Sequence, residues 1–346
     1  MRSALVLGLA STLLALAACS DDATSGSGAS GTGGSGASTG QGNGTSSGAN
    51  GSGAGVPIGG SPSVGDCPIF PADNPWNQDI SGLQVHPNSD AFIDSIGRGT
   101  GMHADFGTVY QGEPIGIPYN VVPGSQPKVP ITFDVPEESE PGPYPIPPDA
   151  LIEGGPDASG DRHVLVIDSD NCLLYEMGVA YPENGGASWT AYSGAIFDLS
   201  SNALRPDTWT SADAAGLPIY PGLVKYEEVM EVGEIKHAIR FTVSSSQAGY
   251  IDPARHYASS DTNPDLAPMG LRLRMKASYD CTAFTQEVQV LCAAFKKYGL
   301  IVADNGSDWY VSGVPDSRWS DENLADVANI TGNAFEAVYT GDVKTY

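Results

Sequence analysis

Positively charged residues are scarce in this 346-residue chain. Its 16 lysines and arginines stand against 41 aspartates and glutamates, which gives a formal net charge of −25 at pH 7. A chain this acidic repels nucleic acid and anionic lipid headgroups. The composition therefore argues against nucleic-acid binding and against docking of the globular part on a membrane surface.

Several cofactor and nucleophile motifs are absent as well. The chain has no glycine-rich phosphate loop, no dinucleotide fingerprint and no G-x-S-x-G stretch that would place a serine on a sharp turn. No C-x-x-C pair or mixed Cys/His spacing indicates zinc. We therefore expect no cofactor and no metal, and acid–base chemistry or binding remain as functions.

Long apolar runs are confined to the start of the chain. Residues 4–18 are apolar but form a short run for a membrane span, and no later run is long enough. The run ends in Leu-Ala-Ala-Cys19, which resembles the bacterial lipobox, whose cysteine is acylated and becomes the first residue of the mature protein. We expect a signal peptide over 1–18 and a lipid anchor on Cys19 in the bacterial envelope. Ser20, in place of Asp, favours the outer membrane or cell surface.

The next segment, 19–65, consists almost entirely of glycine, serine, alanine and threonine. Such a composition buries too little apolar surface to offset the entropy of ordering, so it predicts a disordered tether. The remaining 66–346 is long enough for one large domain, and we find no internal repeat or second linker. The sequence predicts a single globular domain held to a membrane through Cys19.

Four cysteines follow the lipobox, and an even number in an exported protein indicates two disulfides. Of the three possible pairings we favour Cys67–Cys172 and Cys281–Cys292. The last two cysteines are close in sequence, and the first pair would hold the start of the domain to its sheet.

Short runs of β-branched and aromatic residues, separated by glycine and proline, predict a mainly β chain. With few helices and no βαβ alternation, we expect an antiparallel β-sandwich, jelly-roll-like, with about three decorating helices. Three helices are predicted, with Ser89, Thr285 and Ser320 as their cap residues, and Gly97 and Gly299 are predicted to end the first two. Strands are predicted over 129–135, 163–167, 173–177, 194–197, 223–226, 235–243, 271–276, 300–303, 309–312 and 335–338.

Seven segments resemble a family of exported bacterial proteins. They are IFPADNPWNQDIS, HADFG, GIPYNVV, PGPYPIPPDALIEGG, GDRHVLVID, SSNALRPDTWTSADAAGLPIYPGLVKYEEV and IVADNGSDWYVSG, and the resemblance covers nearly all of 69–340. It implies a common fold and site but no reaction, so the candidate residues follow from their own chemistry.

The first candidates are His103 and Asp105 in HADFG. In a strand, residues i and i+2 point to one face, so the imidazole and the carboxylate could act as an acid–base pair. A second pattern, Asp261-Thr-Asn263-Pro-Asp265, begins like a calcium loop. It lacks the required glycine and the final acidic residue, so a turn without calcium is the better interpretation.

Six of the 16 cations cluster between 236 and 276. In LRLRMK, alternation predicts a strand that buries its leucines and presents Arg272, Arg274 and Lys276 as a row on the other face. Arg240 could add to this face, which would form an anion-binding wall. Arg255 follows Pro253 on a predicted loop and is a separate candidate for binding the substrate. The alternative is a solvated face paired with acidic residues elsewhere.

An anion-binding wall on a tethered protein suggests an anionic polysaccharide as the ligand. A polysaccharide lyase needs a cation to neutralise the uronate carboxylate, a base to remove the α-proton and an acid to protonate the leaving oxygen. Arg274 and Lys276 are candidates for the first role, His256 for the second and Tyr257 or Tyr279 for the third. Trp209 and Trp309 are candidate stacking platforms.

The segment MKASY has a faint resemblance to the Lys-Ala-Gly-x-Tyr strand of alginate lyases, but the order of the other motifs differs.

Two other functions remain open. A glycoside hydrolase would use two carboxylates, and the sequence does not choose among its candidates. These are Glu153, Asp198, Asp213, Asp280, Asp304 and Asp308. A non-catalytic glycan-binding or envelope-organising lipoprotein explains the anchor, the tether and the aromatic residues equally well.

Overall fold

The computed structural model describes residues 62–110 and 112–346. The predicted signal peptide, Cys19 and nearly all of the tether lie outside the described residues. Ser63–Val64 pairs with Cys67–Pro68, so ordered backbone is present a few residues before the predicted boundary at 66. All described residues belong to one compact unit.

Short strands dominate the described part of the chain. They are β1 (Ser63–Val64), β2 (Cys67–Pro68), β3 (His103–Asp105), β4 (Val109–Tyr110), β5 (Glu113–Pro114), β6 (Tyr119–Val122), β7 (Ile131–Phe133), β8 (Val164–Asp168), β9 (Leu173–Gly178), β10 (Tyr181–Glu183), β11 (Ser188–Ala191), β12 (Ser193–Asp198), β13 (Ile239–Val243), β14 (Ser246–Tyr250), β15 (Ala267–Met269), β16 (Arg272–Met275), β17 (Leu300–Asn305), β18 (Tyr310–Ser312) and β19 (Phe335–Val338).

Three α-helices decorate the sheets: α1 (Ser89–Ile96), α2 (Gln286–Lys297) and α3 (Asp321–Ala325). A π-helix spans Glu227–Val232, and 3₁₀ turns span Pro136–Glu138, Asn184–Gly186, Tyr220–Gly222, Asp326–Asn329 and Gly332–Ala334. The predicted mainly β chain with about three helices is confirmed.

A four-stranded sheet, in the order β12-β9-β8-β6, lies between two apolar cores. In β8, Leu165 and Ile167 belong to a large core, whereas Val164 and Val166 belong to a smaller one. All five residues of the strand are buried, as expected for a continuous apolar run that is covered on both faces. The large core also packs against a six-stranded sheet in the order β19-β16-β17-β13-β18-β3.

The sheets are mixed, although the sequence predicts an antiparallel sandwich. Neighbours along the chain, such as β8 and β9, pair antiparallel, but β13 and β17 pair parallel. The chain between β13 and β17 includes α2, and a long crossover of this kind returns a strand in the parallel direction.

Helix α2 follows its sequence pattern closely. Val288, Leu291, Cys292 and Phe295, at positions i, i+3, i+4 and i+7, are all at most 1 % exposed. Thr285 precedes the helix as its N-cap residue, as predicted. Helix α1 ends, also as predicted, at Gly97, which adopts φ 103, but its N-cap residue is Asn88 and not the predicted Ser89.

Both predicted disulfides are confirmed. Cys67 bonds to Cys172 over a sequence separation of 105, and Cys281 bonds to Cys292 over a separation of 11. The first bond ties the start of the domain to the turn between β8 and β9. No helix in the described ranges is both long and apolar enough to cross a membrane.

Candidate functional site

A cavity of about 290 Å³ opens where one end of the four-stranded sheet meets the six-stranded sheet. His163 precedes β8, Gly178 ends β9 and Ser193 begins β12, so three neighbouring strands reach the cavity at one edge. Asp304 on β17 approaches from the other sheet. The polar side chains of its lining are Glu138, Asp161, His163, Tyr192, Ser193, Thr210, Ser211, Asp213, His256 and Asp304.

The floor of the cavity is a tight loop over 210–216. Ser211 fixes it, because its hydroxyl accepts the Asp213 N–H at 2.9 Å and donates to the Leu217 carbonyl at 2.6 Å. Gly216 adopts φ +68, where a Cβ would lie 2.4 Å from the Trp209 carbonyl oxygen. The loop therefore presents the carbonyls of 212 and 214 and the Asp213 side chain in fixed positions.

His163 is a cation held by this loop. Its Nδ1 lies 2.6 Å from Glu153 Oε2 and its Nε2 lies 3.1 Å from the Ala212 carbonyl oxygen. Because both partners only accept hydrogen bonds, both ring nitrogens carry protons. Burial lowers the pKa of His163, but the Glu153 carboxylate outweighs burial and raises that pKa to about 9.

Arg240 on β13 is the second fixed cation. It is 4 % exposed, and its Nε donates to Asp213 Oδ2 at 2.8 Å. Its Nη1 donates to the Ser312 hydroxyl on β18, and its Nη2 contacts both Asp213 Oδ1 and, at 3.7 Å, Asp304 Oδ2. Arg240 was predicted to bind substrate on an open cationic face. That prediction is wrong, because its guanidinium is buried and already paired.

Asp304 is a carboxyl group of the cavity whose pKa differs from that of a surface carboxyl. Its side chain is 22 % exposed, which leaves it accessible from the cavity. Burial and the neighbouring Asp213 carboxylate raise its pKa to about 7, although Arg240 acts in the opposite direction. At neutral pH this carboxyl is therefore protonated in a large fraction of molecules and can donate a proton.

Glu176 on β9 lies behind the cavity and is fully buried. Its carboxylate accepts the N–H groups of Ile219 and Tyr220 at 2.9 Å. Burial raises its pKa to about 7, despite those hydrogen bonds. The folded state thus holds a proton that the unfolded state releases above about pH 4.5.

We expect the free energy of unfolding to fall as pH rises from about 4.5 to 7. A group whose folded pKa is raised stabilises the protein fully below its unfolded pKa, and that stability is lost as pH rises through the folded pKa. Glu176 alone accounts for about 3 kcal/mol by this route, and Asp304 acts in the same direction. Urea unfolding at several pH values tests this, and Glu176→Gln should flatten the decline. An unchanged slope in that variant would refute the assignment.

His256 contacts the same loop. Its Nδ1 lies 2.7 Å from the Ala214 carbonyl oxygen, so Nδ1 carries a proton. Among the described residues, Nε2 makes no hydrogen bond, and the half-buried ring lines the cavity. In the neutral ring this nitrogen has a free lone pair and can act as a base. The structure thus places the predicted His256 in the same cavity as Asp304, whose lining includes neither Arg274 nor Lys276.

The predicted pair His103 and Asp105 lies on one face of β3, and both side chains are exposed. They line a second cavity of about 540 Å³ and not the cavity of His256. His103 stacks on Tyr310, with ring centroids 4.2 Å apart. Asp105 is paired in register with Ser312, the residue that contacts Arg240.

The cationic row is not an open wall. Arg272 is 1 % exposed, and its guanidinium donates to the carbonyls of Pro75 and Tyr298. Arg274 donates to Glu336 at 2.8 Å, and Lys276 donates to a backbone carbonyl. The prediction of a ligand-binding row is wrong because the second face of β16 is covered, which strand alternation does not reveal. Neither Arg274 nor Lys276 lines the cavity of His256 or that of His103.

Other predicted substrate contacts are also structural. Arg255 binds Asp207 and Asp252, and its Nε donates to the Arg205 carbonyl at 3.0 Å. Trp309 is fully buried and its ring stacks on Phe241, so it is a core residue and not a platform.

Two predicted aromatic residues remain partly exposed. Trp209 is half-buried beneath the guanidinium of Arg205, which lies 5.5 Å from its ring. Tyr257 stacks on His256 at 6.3 Å, and its hydroxyl donates to the Tyr346 carbonyl. Tyr257 is therefore a neighbour of the cavity, with its hydroxyl directed to another partner.

Within the described ranges, no group of three or more His, Cys, Asp or Glu side chains is placed to hold a metal ion. In the calcium-like turn, Asp261 and Asn263 instead accept the backbone N–H groups of residues 263 and 265.

The sequence interpretation did not single out His163 or the 210–216 loop. Asp213 and Asp304 appeared only among six carboxylate candidates, because their ranking depends on burial and on neighbouring charges. Comparison of the chain with known protein families, with curated proteins and with solved structures found no match. Only the geometry of the site therefore bears on function.

Proposed function

We propose that the cavity is the active site of a carbohydrate hydrolase that works by general acid–base catalysis. One observation carries the proposal: Asp304, a carboxyl with a pKa of about 7, shares a cavity with His256, whose Nε2 makes no hydrogen bond to any residue that the structure describes. Hydrolysis of a glycosidic bond requires a proton donor and a proton acceptor, and these two groups can fill those roles.

In the proposed reaction, Asp304 donates its proton to the bridging oxygen as the bond between that oxygen and the sugar carbon breaks. His256 Nε2 takes a proton from a water molecule, whose oxygen forms the new bond to the same carbon. The proton then returns from His256 to Asp304 through solvent. Arg240 and Asp213 set the charge around Asp304, and His163 fixes the loop that orients His256.

Charge in the cavity supports an uncharged or positively charged substrate. Among the residues that the structure describes, those lining the cavity include four carboxyl groups and two histidines but no lysine or arginine. An anionic polymer would be repelled, which weighs against the uronate lyase considered from the sequence. The half-exposed ring of Tyr192 supplies a surface on which a sugar can stack.

The lipobox-like start and the tether support action at the bacterial envelope. With the lipid anchor and tether that the sequence predicts, the enzyme would reach polysaccharides near the membrane without binding the bilayer through its acidic domain.

The test is incubation of the full-length protein with three groups of polysaccharides: neutral (hydroxyethylcellulose, xylan, laminarin, mannan), cationic (chitosan) and anionic (alginate, polygalacturonate). We expect new reducing ends from a neutral or cationic polymer, without the ultraviolet absorbance of an unsaturated uronate. An unsaturated product would favour the lyase, and binding without any product would favour a glycan-binding protein. Either result would overturn the proposed hydrolase.

A further inference from the structure

We propose that the cavity lined by His103 and Tyr310 binds the carbohydrate units next to the one that reacts, so that the substrate is a chain and not a single sugar. This inference rests on the proposed function of the neighbouring cavity. It assigns to His103 and Asp105 a role in binding, where the sequence predicts catalysis.

Asp105, which lines the larger cavity, lies close to charged groups of the smaller one. Asp105 lines the larger cavity, while Ser312, its register partner, touches Arg240 behind the smaller one. Desolvation by the surrounding protein raises the pKa of the Asp105 carboxyl, although the residue lies at the surface. The charges of Glu153, Arg240 and Asp161 also act on this carboxyl. Asp161 itself lines the smaller cavity. A carbohydrate chain bound in the smaller cavity would therefore have the larger cavity close to it.

The walls of the larger cavity suit a sugar chain. Sugars offer apolar C–H faces for stacking and hydroxyls for hydrogen bonds, and amphipathic aromatic side chains match both. The stacked pair His103–Tyr310 forms one wall, and β3 and β18 hold it rigidly by parallel pairing. Buried apolar side chains, Met102, Phe106 and Leu324, form the base.

The volumes support the same assignment. The smaller cavity, about 290 Å³, lies at the lower end of the range for ligand pockets, whereas the larger one holds about 540 Å³. The catalytic groups occupy the smaller cavity and the aromatic platform the larger. This division is expected if one unit is cut while its neighbours are only held.

The experiment compares Tyr310→Ala with Tyr310→Phe, which keeps the ring. The probes are the polysaccharide that the wild type cuts and its own oligosaccharides, from disaccharide to hexasaccharide. We expect Tyr310→Ala to lower kcat/KM on the hexasaccharide by about tenfold, through KM, and to lower it progressively less on shorter chains. Tyr310→Phe should restore most of the loss.

Tyr339→Ala is the matched control. Tyr339 is an exposed tyrosine that stacks on a histidine, His86, and lies outside both cavities. Equal losses on long and short chains, or the same loss in the control, would overturn the inference while the hydrolase stands.

If the wild type cuts no member of the panel, the proposed hydrolase fails, and retardation in gels that contain the same polysaccharides decides the inference. Retardation that Tyr310→Ala abolishes supports the binding cavity. A wild type that migrates freely in every gel overturns it.

Discussion

Asp304→Asn is expected to reduce turnover by about 10²- to 10⁴-fold, the usual contribution of general acid–base catalysis. Asparagine keeps the size of the side chain and can still accept the N–H of Asn305, which now lies 2.7 Å from Asp304 Oδ1. It has no carboxyl proton to donate to the leaving oxygen. Binding of the polysaccharide should therefore persist, and the loss should appear in kcat.

The effect is measured as the rate at which each variant releases reducing ends from the polysaccharide that the wild type cuts. Asp265→Asn is the control, because Asp265 is an exposed carboxylate outside both cavities. The wild-type rate should also decline above about pH 7, where Asp304 loses its proton. Turnover within about twofold of the wild type in Asp304→Asn would exclude Asp304 as the acid.

The elements that the sequence predicted well are those whose pattern is local. Helix α2 has a cap residue, an apolar stripe and a terminal glycine within 15 positions, and each feature acts within a few residues. The hairpin of β8 and β9 is likewise contained in one short stretch around a polar turn. Such patterns need no knowledge of what packs against them.

The π-helix shows where local reading fails. Residues 223–226 were predicted as a strand, but the strand does not form and Tyr226 instead precedes the π-helix Glu227–Val232. Val224 makes only an isolated bridge, to Gly313. A short apolar run does not distinguish a strand from another buried segment, since both bury the same side chains.

The cationic row failed for a similar reason. Alternation in LRLRMK correctly separates two faces of β16, but it does not say what covers the second face. The Arg272 guanidinium donates hydrogen bonds to the carbonyls of Pro75 and Tyr298. These residues lie 197 and 26 positions away along the chain. Burial of this arginine is a consequence of tertiary contacts that no strand pattern contains.

The candidate site is also non-local. Its central groups come from four segments of the chain and are His163, Asp213, Arg240 and Asp304. Asp213 and Asp304 are two of 41 acidic residues, so their type alone does not single them out. What distinguishes Asp304 is its burial beside Asp213 and Arg240, which raises its pKa. His256 was identifiable because histidines are few, only 5 in the chain.

Arg240→Met is expected to destabilise the fold by about 3–5 kcal/mol, the usual result of removing one partner of a buried ion pair. Methionine fills much of the space of the arginine stem, so the cost is mainly electrostatic. Asp213, which is 1 % exposed, would be left as a buried charge that has lost its guanidinium. Equilibrium urea unfolding measures the change through the midpoint at constant slope.

Arg318→Met is the informative comparison, because Arg318 forms three ion pairs whereas Arg240 forms two. It contacts Glu227, Glu231 and Asp316, but its side chain is 45 % exposed, so water screens each interaction. Its loss should cost no more than about 1 kcal/mol. If burial and not the number of contacts decides the energy, Arg240→Met must be the more damaging change, and Asp213→Leu added to it should recover part of the loss. Equal destabilisation by Arg240→Met and Arg318→Met would show that Arg240 does not serve as the buried electrostatic centre of this site.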